Sequence, residues 1–187
     1  MTRVGWFVLG GIALVAALFA SVVRFGPAAV QPAREPGAAQ VDARGLPILQ
    51  VPVAGVARAQ IVDTWGQARG EGRQHHGTDI MAAGGTLVLA AAGRIEKLFE
   101  SKLGGTTLYQ RSADRRWTFY YAHLAGYAPG VHEGQVLRTG EPIGFVGDTG
   151  DAGPGNYHLH FATARLRPDQ HWWEGEDVNA YPMLRGR

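Results

Sequence analysis

Residues 157–161 read YHLHF, and the alternation in that stretch decides the fold. Successive side chains of an extended strand point to opposite faces, so His158 and His160 project together while Leu159 and Phe161 turn to the other, apolar side. Two imidazoles side by side on an otherwise hydrophobic strand are hard to explain by packing. They point to a metal or catalytic role, against the plainer reading of two exposed histidines. The surrounding sequence has the same texture. Candidate strands cover residues 86–90, 93–99, 106–111, 117–123, 143–146 and 158–165, separated by turns rich in glycine. No long helical period lies between them, so the expectation is an all-β domain, a sandwich or a curled sheet.

Two further segments carry chemistry. Residues 73–80 read RQHHGTDI, with His75 and Asp79 four positions apart and Gly77 between them. A helix would also put this pair on one face, but Gly77, Thr78 and the missing apolar period argue for a turn entering a strand. The helical HExxH motif is excluded for the same reason, and because its Glu is missing. Residues 117–124, WTFYYAHL, place His123 at the end of an aromatic strand, where alone it reads as a structural histidine. Catalytic zinc is usually held by three His, Asp or Glu ligands with a fourth position left for water. Four candidate imidazoles and one carboxylate supply three such ligands and leave two histidines for proton transfer and oxyanion stabilisation. The chain has no cysteine, which removes thiolate metal sites, disulfides and cysteine nucleophiles.

The 187 residues fit one domain with appendages. Residues 4–23, VGWFVLGGIALVAALFASVV, form an uncharged, mostly apolar run between Arg3 and Arg24. At ~1.5 Å per residue a helix of this length spans the roughly 30 Å hydrocarbon core. Leu18 stands where a cleavage site would want a small residue, so residues 1–24 are expected to be an uncleaved transmembrane anchor. Arg24, Arg34 and Arg44 follow the run and only Arg3 precedes it, which by loop charge alone favours the opposite sidedness. The C-terminal domain is nevertheless placed outside the cytoplasmic membrane, on the substrate inferred below. Residues 25–52, rich in Pro, Ala, Gly and Arg, read as a flexible spacer, and residues 53–187 as the functional domain. The net charge is +2 and the arginines are scattered, so a nucleic-acid partner is not expected.

These residues resemble the lysostaphin-like or LytM-type zinc endopeptidases, peptidoglycan hydrolases of the duplicated hybrid motif fold. The matching text is DTWGQAR (residues 63–69), HHGTDIMAAGGTLVLAAAGRI (75–95), YYAHL (120–124), VHEGQVLRTGEPIGFVGDTG (131–150) and HLHF (158–161), with DVNAYPML near the end similar to a closing segment of relatives. The resemblance covers nearly everything after residue 53, in order. It implies an antiparallel β fold with a groove over the sheet, Zn²⁺ on His75, Asp79 and His160, His158 as general base or proton shuttle, and His123 stabilising or protonating the tetrahedral intermediate. His76 is then a bystander, and His132 and His171 match no functional position and are expected in solvent. The turns at Gly84-Gly85, Gly104-Gly105, Gly147 and Gly150 would let loops wall the groove. Two positions depart from the pattern. The stretch QARGEGRQ lacks the tyrosine that helps some relatives stabilise the oxyanion, and Ala162 stands where many carry an acidic residue.

The implied partners are peptidoglycan as substrate and the membrane through the N-terminal run; nothing in the sequence identifies a regulatory protein. The main rival is a non-catalytic LytM-type activator of a cell-wall amidase, which would keep the fold and lose the ligands. A biotinyl or lipoyl carrier domain, suggested by GQVLRTGEPIGFVGDTGD, needs a modifiable lysine at a hairpin tip, and neither Lys97 nor Lys102 lies in that segment.

Overall fold

The computed structural model describes residues 40–186. Nine strands form one antiparallel sheet: β1 (Thr78–Met81), β2 (Leu87–Leu89), β3 (Gly93–Ser101), β4 (Gly105–Ser112), β5 (Trp117–Tyr127), β6 (Val136–Leu137), β7 (Pro142–Val146), β8 (His158–Arg165) and β9 (Glu176–Val178). The order β1-β8-β5-β4-β3-β6 makes the main path, with β7 joining β5 to β2 and β9 lying along the far half of β8. One short helix, α1 (Tyr181–Arg185), follows. The all-β antiparallel expectation holds. The expected transmembrane helix falls outside the described residues, among which no helix is long and apolar enough to cross a membrane.

Strand β8 matches its expected bounds because its alternation is unbroken: Leu159, Phe161 and Thr163 are buried on one face. They pack with Phe119 and Tyr121 of β5, Ile80 of β1 and Leu108 of β4. Fully burying side chains of this size contributes about 1.5–3 kcal/mol each. The Tyr121 and Gln110 side chains satisfy each other within this core. Tyr121 donates its hydroxyl to Gln110 Oε1 at 2.9 Å and accepts from the Ala91 amide at 3.1 Å, while Gln110 donates to the Ala91 carbonyl at 2.7 Å.

Strand β5 runs past its expected end at His123. Up to Ala122 it pairs with β8, the last pair being Ala122 with His160; from Leu124 it pairs with β7 instead. His123 occupies the corner with φ of 60°, a left-handed conformation uncommon outside glycine, and this lets the strand bend from one partner to the next. The packed domain also begins earlier than residue 53. Leu49 and Val51, inside the stretch read as spacer, are buried in the core, and the Leu49 amide donates to the Met183 carbonyl at 3.1 Å.

Candidate active site

The register of three strands assembles the site. Asp79 on β1 lies opposite His160 on β8, and Ala122 on β5 lies opposite His160 from the other side, so His123 at the corner follows directly. His158 shares the face of His160, two residues away. His75 arrives from the loop before β1, pinned where its amide donates to the Gln67 carbonyl at 2.9 Å and its own carbonyl accepts from Gly66 at 2.8 Å.

The protonation pattern follows from backbone partners. His75 Nδ1 lies 2.8 Å from the Thr64 carbonyl, an acceptor, so the proton sits on Nδ1 and the Nε2 lone pair faces inward. Thr64 also anchors Asp79, whose amide donates to its Oγ1 at 2.9 Å. His75 Nε2, His160 Nδ1 and Asp79 Oδ1 then converge, with separations of 2.8, 3.0 and 3.2 Å. Three lone-pair atoms so close repel one another unless a proton or a cation lies among them. Ligand atoms about 2.0–2.2 Å from a tetrahedral zinc stand roughly 3.3–3.5 Å apart, so this triad fits such an ion with a small expansion. Asp79 turns its second oxygen to the Arg69 guanidinium, which fixes the carboxylate orientation.

Gly77 makes room for the ring of His160: a Cβ there would lie 2.5 Å from His160 Cε1. Burial opposes ionisation of Asp79, yet its contacts with the His160 and His75 imidazoles outweigh burial and hold the carboxyl well below the usual range. Burial pushes His160 down despite the Asp79 partner, favouring the neutral, ligating form.

His158 Nδ1 donates to the Asn156 carbonyl at 2.8 Å, leaving Nε2 open, 3.8 Å from Asp79 Oδ1. His123 Nδ1 donates to the Thr149 carbonyl at 2.8 Å, and its ring centroid lies 4.8 Å from that of His158. Burial lowers the His123 pKa, with the neighbouring His158 and His160 acting in the same direction against the Thr149 bond. The structure thus brings together all five residues singled out in the sequence, His75, Asp79, His123, His158 and His160. His76 stays exposed, paired with Asp177 at 2.8 Å and stacked on Trp65. His132 and His171 are exposed. Sequence reasoning missed the orienting roles of Thr64, Asn156 and Thr149, and it missed Tyr120, whose ring meets His160 edge-on. None carries a signal in isolation, because each acts through a partner fixed only by the fold.

Residues 73–179, more than half of the chain, match the model of peptidase family M23. The L-Ala–D-Glu endopeptidase of Bacillus subtilis (strain 168) is 35% identical over 130 residues, 65% of this chain and 38% of that protein. This chain therefore spans well under half the length of that curated relative. The catalytic domain of the antimicrobial peptidase lysostaphin from Staphylococcus simulans is similar at 27% identity and a TM-score of 0.56, covering 67% of this chain and 91% of that one. A zinc containing peptidase from Vibrio cholerae shares the fold at 23% identity and a TM-score of 0.56, over 75% of this chain and 42% of that one.

Proposed function

Because this chain belongs to peptidase family M23, we propose that it is a zinc metalloendopeptidase that hydrolyses peptide bonds in the stem peptides or cross-links of peptidoglycan. The observation that carries this reading is the convergence of His75 Nε2, Asp79 Oδ1 and His160 Nδ1 beside two further histidines with open Nε2 atoms. His75, Asp79 and His160 would hold the metal. When bound there, zinc supplies Lewis acidity, polarising a carbonyl and bringing the pKa of a water towards ~7.

The protein groups do the rest. His158, its Nδ1–H fixed on Asn156, takes the proton of the attacking water at Nε2. The water oxygen bonds to the carbonyl carbon, the carbon–nitrogen bond breaks, and the amine leaves with a proton. His123 is held in register by Thr149, and burial makes its imidazolium a readier acid. Protonated at Nε2, it donates to the developing oxyanion or to the departing nitrogen. Arg69 keeps Asp79 oriented.

A place in the cell follows from the same reading. Residues 4–23 anchor the chain in the cytoplasmic membrane, residues after them give reach, and the peptidase domain works on the extracytoplasmic side. The name of the Bacillus relative, an L-Ala–D-Glu endopeptidase, supports a peptide substrate that contains a D-amino acid.

The test is metal content and muropeptide release by the chain and two variants. Wild type should hold about one zinc and cut peptidoglycan; His160→Ala should lose the metal; His158→Ala should keep the metal and lose at least about 100-fold in rate, the usual scale of general-base catalysis. Metal binding without any cleavage would turn the assignment to the non-catalytic amidase activator.

A further inference from the structure

Two walls of the candidate active site meet through an ion pair. The first wall is the hairpin of residues 66–75. Its base is closed by His75 and Gln67, the bridge between Ala68 and Gln74 follows, and the Arg69 amide donates to the Arg73 carbonyl at 2.9 Å. His75 reaches from it into the cluster and Arg69 onto Asp79, so the hairpin is fixed at the β1 side of the sheet. Its tip is Gly70-Glu71-Gly72, where Glu71 and Gly72 hold left-handed backbone with φ of 62° and 73° and no residue is buried. The second wall is the loop between β7 and β8. It is docked on the far side, where the Asp151 amide donates to the Leu103 carbonyl at 2.8 Å in the turn between β3 and β4. Gly150 permits that approach, since a Cβ there would lie 2.2 Å from the Leu103 oxygen. Between β1 and β4 in the sheet run β8 and β5, which carry His158, His160 and His123. Asp151 is close enough for its charge to act on His123 and Tyr120. Among the described residues one side-chain contact joins the two walls: Arg73 Nη2 donates to Asp151 Oδ2 at 3.3 Å.

We propose that Arg73 and Asp151 form a clasp that determines substrate topology: closed, it admits a peptide with a free end to the histidine cluster, and it must open for a peptide held at both ends, as in a cross-link. The proposal rests on the peptidoglycan reading above. The chain forms a closed ring here. It runs from His75 through Asp79 and the paired strands β1, β8, β5 and β4 to the Leu103 carbonyl, then through Asp151 and Arg73 back along the hairpin. A bond brought to His158 and His160 lies inside that ring. A free peptide end threads a ring, whereas a chain tethered on both sides enters only when the ring parts. The ion pair is the link that parts. Its side chains are 42% and 46% exposed and share one contact rather than a bidentate pair. A pair so exposed is screened by salt and biases the closed state only modestly, so the open state is reached often. The cost to a tethered substrate is then set by the fraction of molecules that are open. The strand pairings and the glycine-fitted loop contacts in the rest of the ring hold while the clasp opens.

The chain has no cysteine, so the clasp can be locked and released in the full protein. Arg73→Cys with Asp151→Cys, joined by a short bismaleimide that carries a reducible disulfide, holds the walls together until reductant is added. Two quantities are read: retention on insoluble cross-linked peptidoglycan, and kcat/KM on that material relative to a linear stem peptide with a free end. Locked, the protein should lose roughly tenfold or more on cross-linked material in both readouts, while keeping its zinc and its rate on the linear peptide to within about twofold. Reductant should restore the loss. Arg73→Gln, which frees the clasp without fixing it, should raise the ratio of cross-linked to linear cleavage by about two- to fivefold. Equal loss on both substrates when locked, no effect of the lock on either readout, or an unchanged ratio in Arg73→Gln overturns the clasp. Retention requires no cleavage, so retention that responds to the lock in a chain that cuts nothing sinks the hydrolase reading alone. Cleavage of both substrates untouched by the lock sinks the clasp alone, and a wild type that is neither retained nor cuts sinks both.

Discussion

Gly77 is the residue on which the geometry of the cluster turns. A methyl group there would sit 2.5 Å from His160 Cε1 and 2.7 Å from its Nε2, so the imidazole must swing away from Asp79. Overpacking of this kind costs about 1–3 kcal/mol. Gly77→Ala should therefore weaken zinc binding by roughly tenfold or more, measured by competition with a chromophoric chelator, while the fold persists. Unchanged affinity would mean that the ring does not need its place above the glycine. His158 and His160 were legible in the sequence because paired imidazoles on an apolar strand have no good packing explanation, whereas His75, Asp79 and His123, unremarkable alone, were picked out by the family resemblance. Thr64 and Asn156 were not legible. A threonine that accepts an amide with Oγ1 and an imidazole proton with its carbonyl looks like any loop threonine until Asp79 and His75 are brought to it.

At the scale of the elements, the corner in β5 connects fold to chemistry. His123 keeps its left-handed backbone because the loop after β7 locks it from outside. Thr149 accepts the Thr106 amide at 3.1 Å, donates to the Leu124 carbonyl at 2.9 Å, and accepts His123 Nδ1–H on its own carbonyl. Gly105 and Gly150 permit this contact: a Cβ on Gly105 would lie 2.2 Å from Thr149 Oγ1, and one on Gly150 would lie 2.4 Å from the Gly105 nitrogen. Thr149→Val keeps the shape and removes both side-chain bonds, leaving the Thr106 amide and Leu124 carbonyl short of a partner. It should cost about 1–3 kcal/mol in urea unfolding and lower kcat more than metal affinity, because the loop whose carbonyl holds His123 is loosened while the three ligands keep their partners. Metal loss equal to the loss of rate would contradict that separation. The strand pattern was read well where alternation ran long, as in β8. It was not read in β6 and β9, which have two and three residues and are strands only by pairing with β3 and β8. The continuation of β5 was hidden because a histidine in a left-handed conformation does not announce a bend.

For the molecule as a whole, loop charge and the proposed substrate pull in opposite directions. Arg24, Arg34 and Arg44 follow the apolar run and Arg3 alone precedes it, an asymmetry that would retain the domain in the cytoplasm if loop charge decided. Peptidoglycan lies on the other side. Long segments and folded domains are translocated largely regardless of their charge, so the weight of three arginines falls when about 160 residues follow the run. We therefore expect the chain to sediment with membranes, to be released on deletion of residues 1–24, and to expose its domain outside. The absence of cysteine makes the sidedness directly measurable. Ala113, exposed in the turn between β4 and β5, lies outside the strand pairings and accepts a single cysteine. Ala113→Cys should react with a membrane-impermeant maleimide in intact spheroplasts as fully as after lysis. Reaction only after lysis would put the domain inside. The loop arginines would then have decided the orientation, and a cell-wall substrate would be out of reach however well the zinc ligands are arranged.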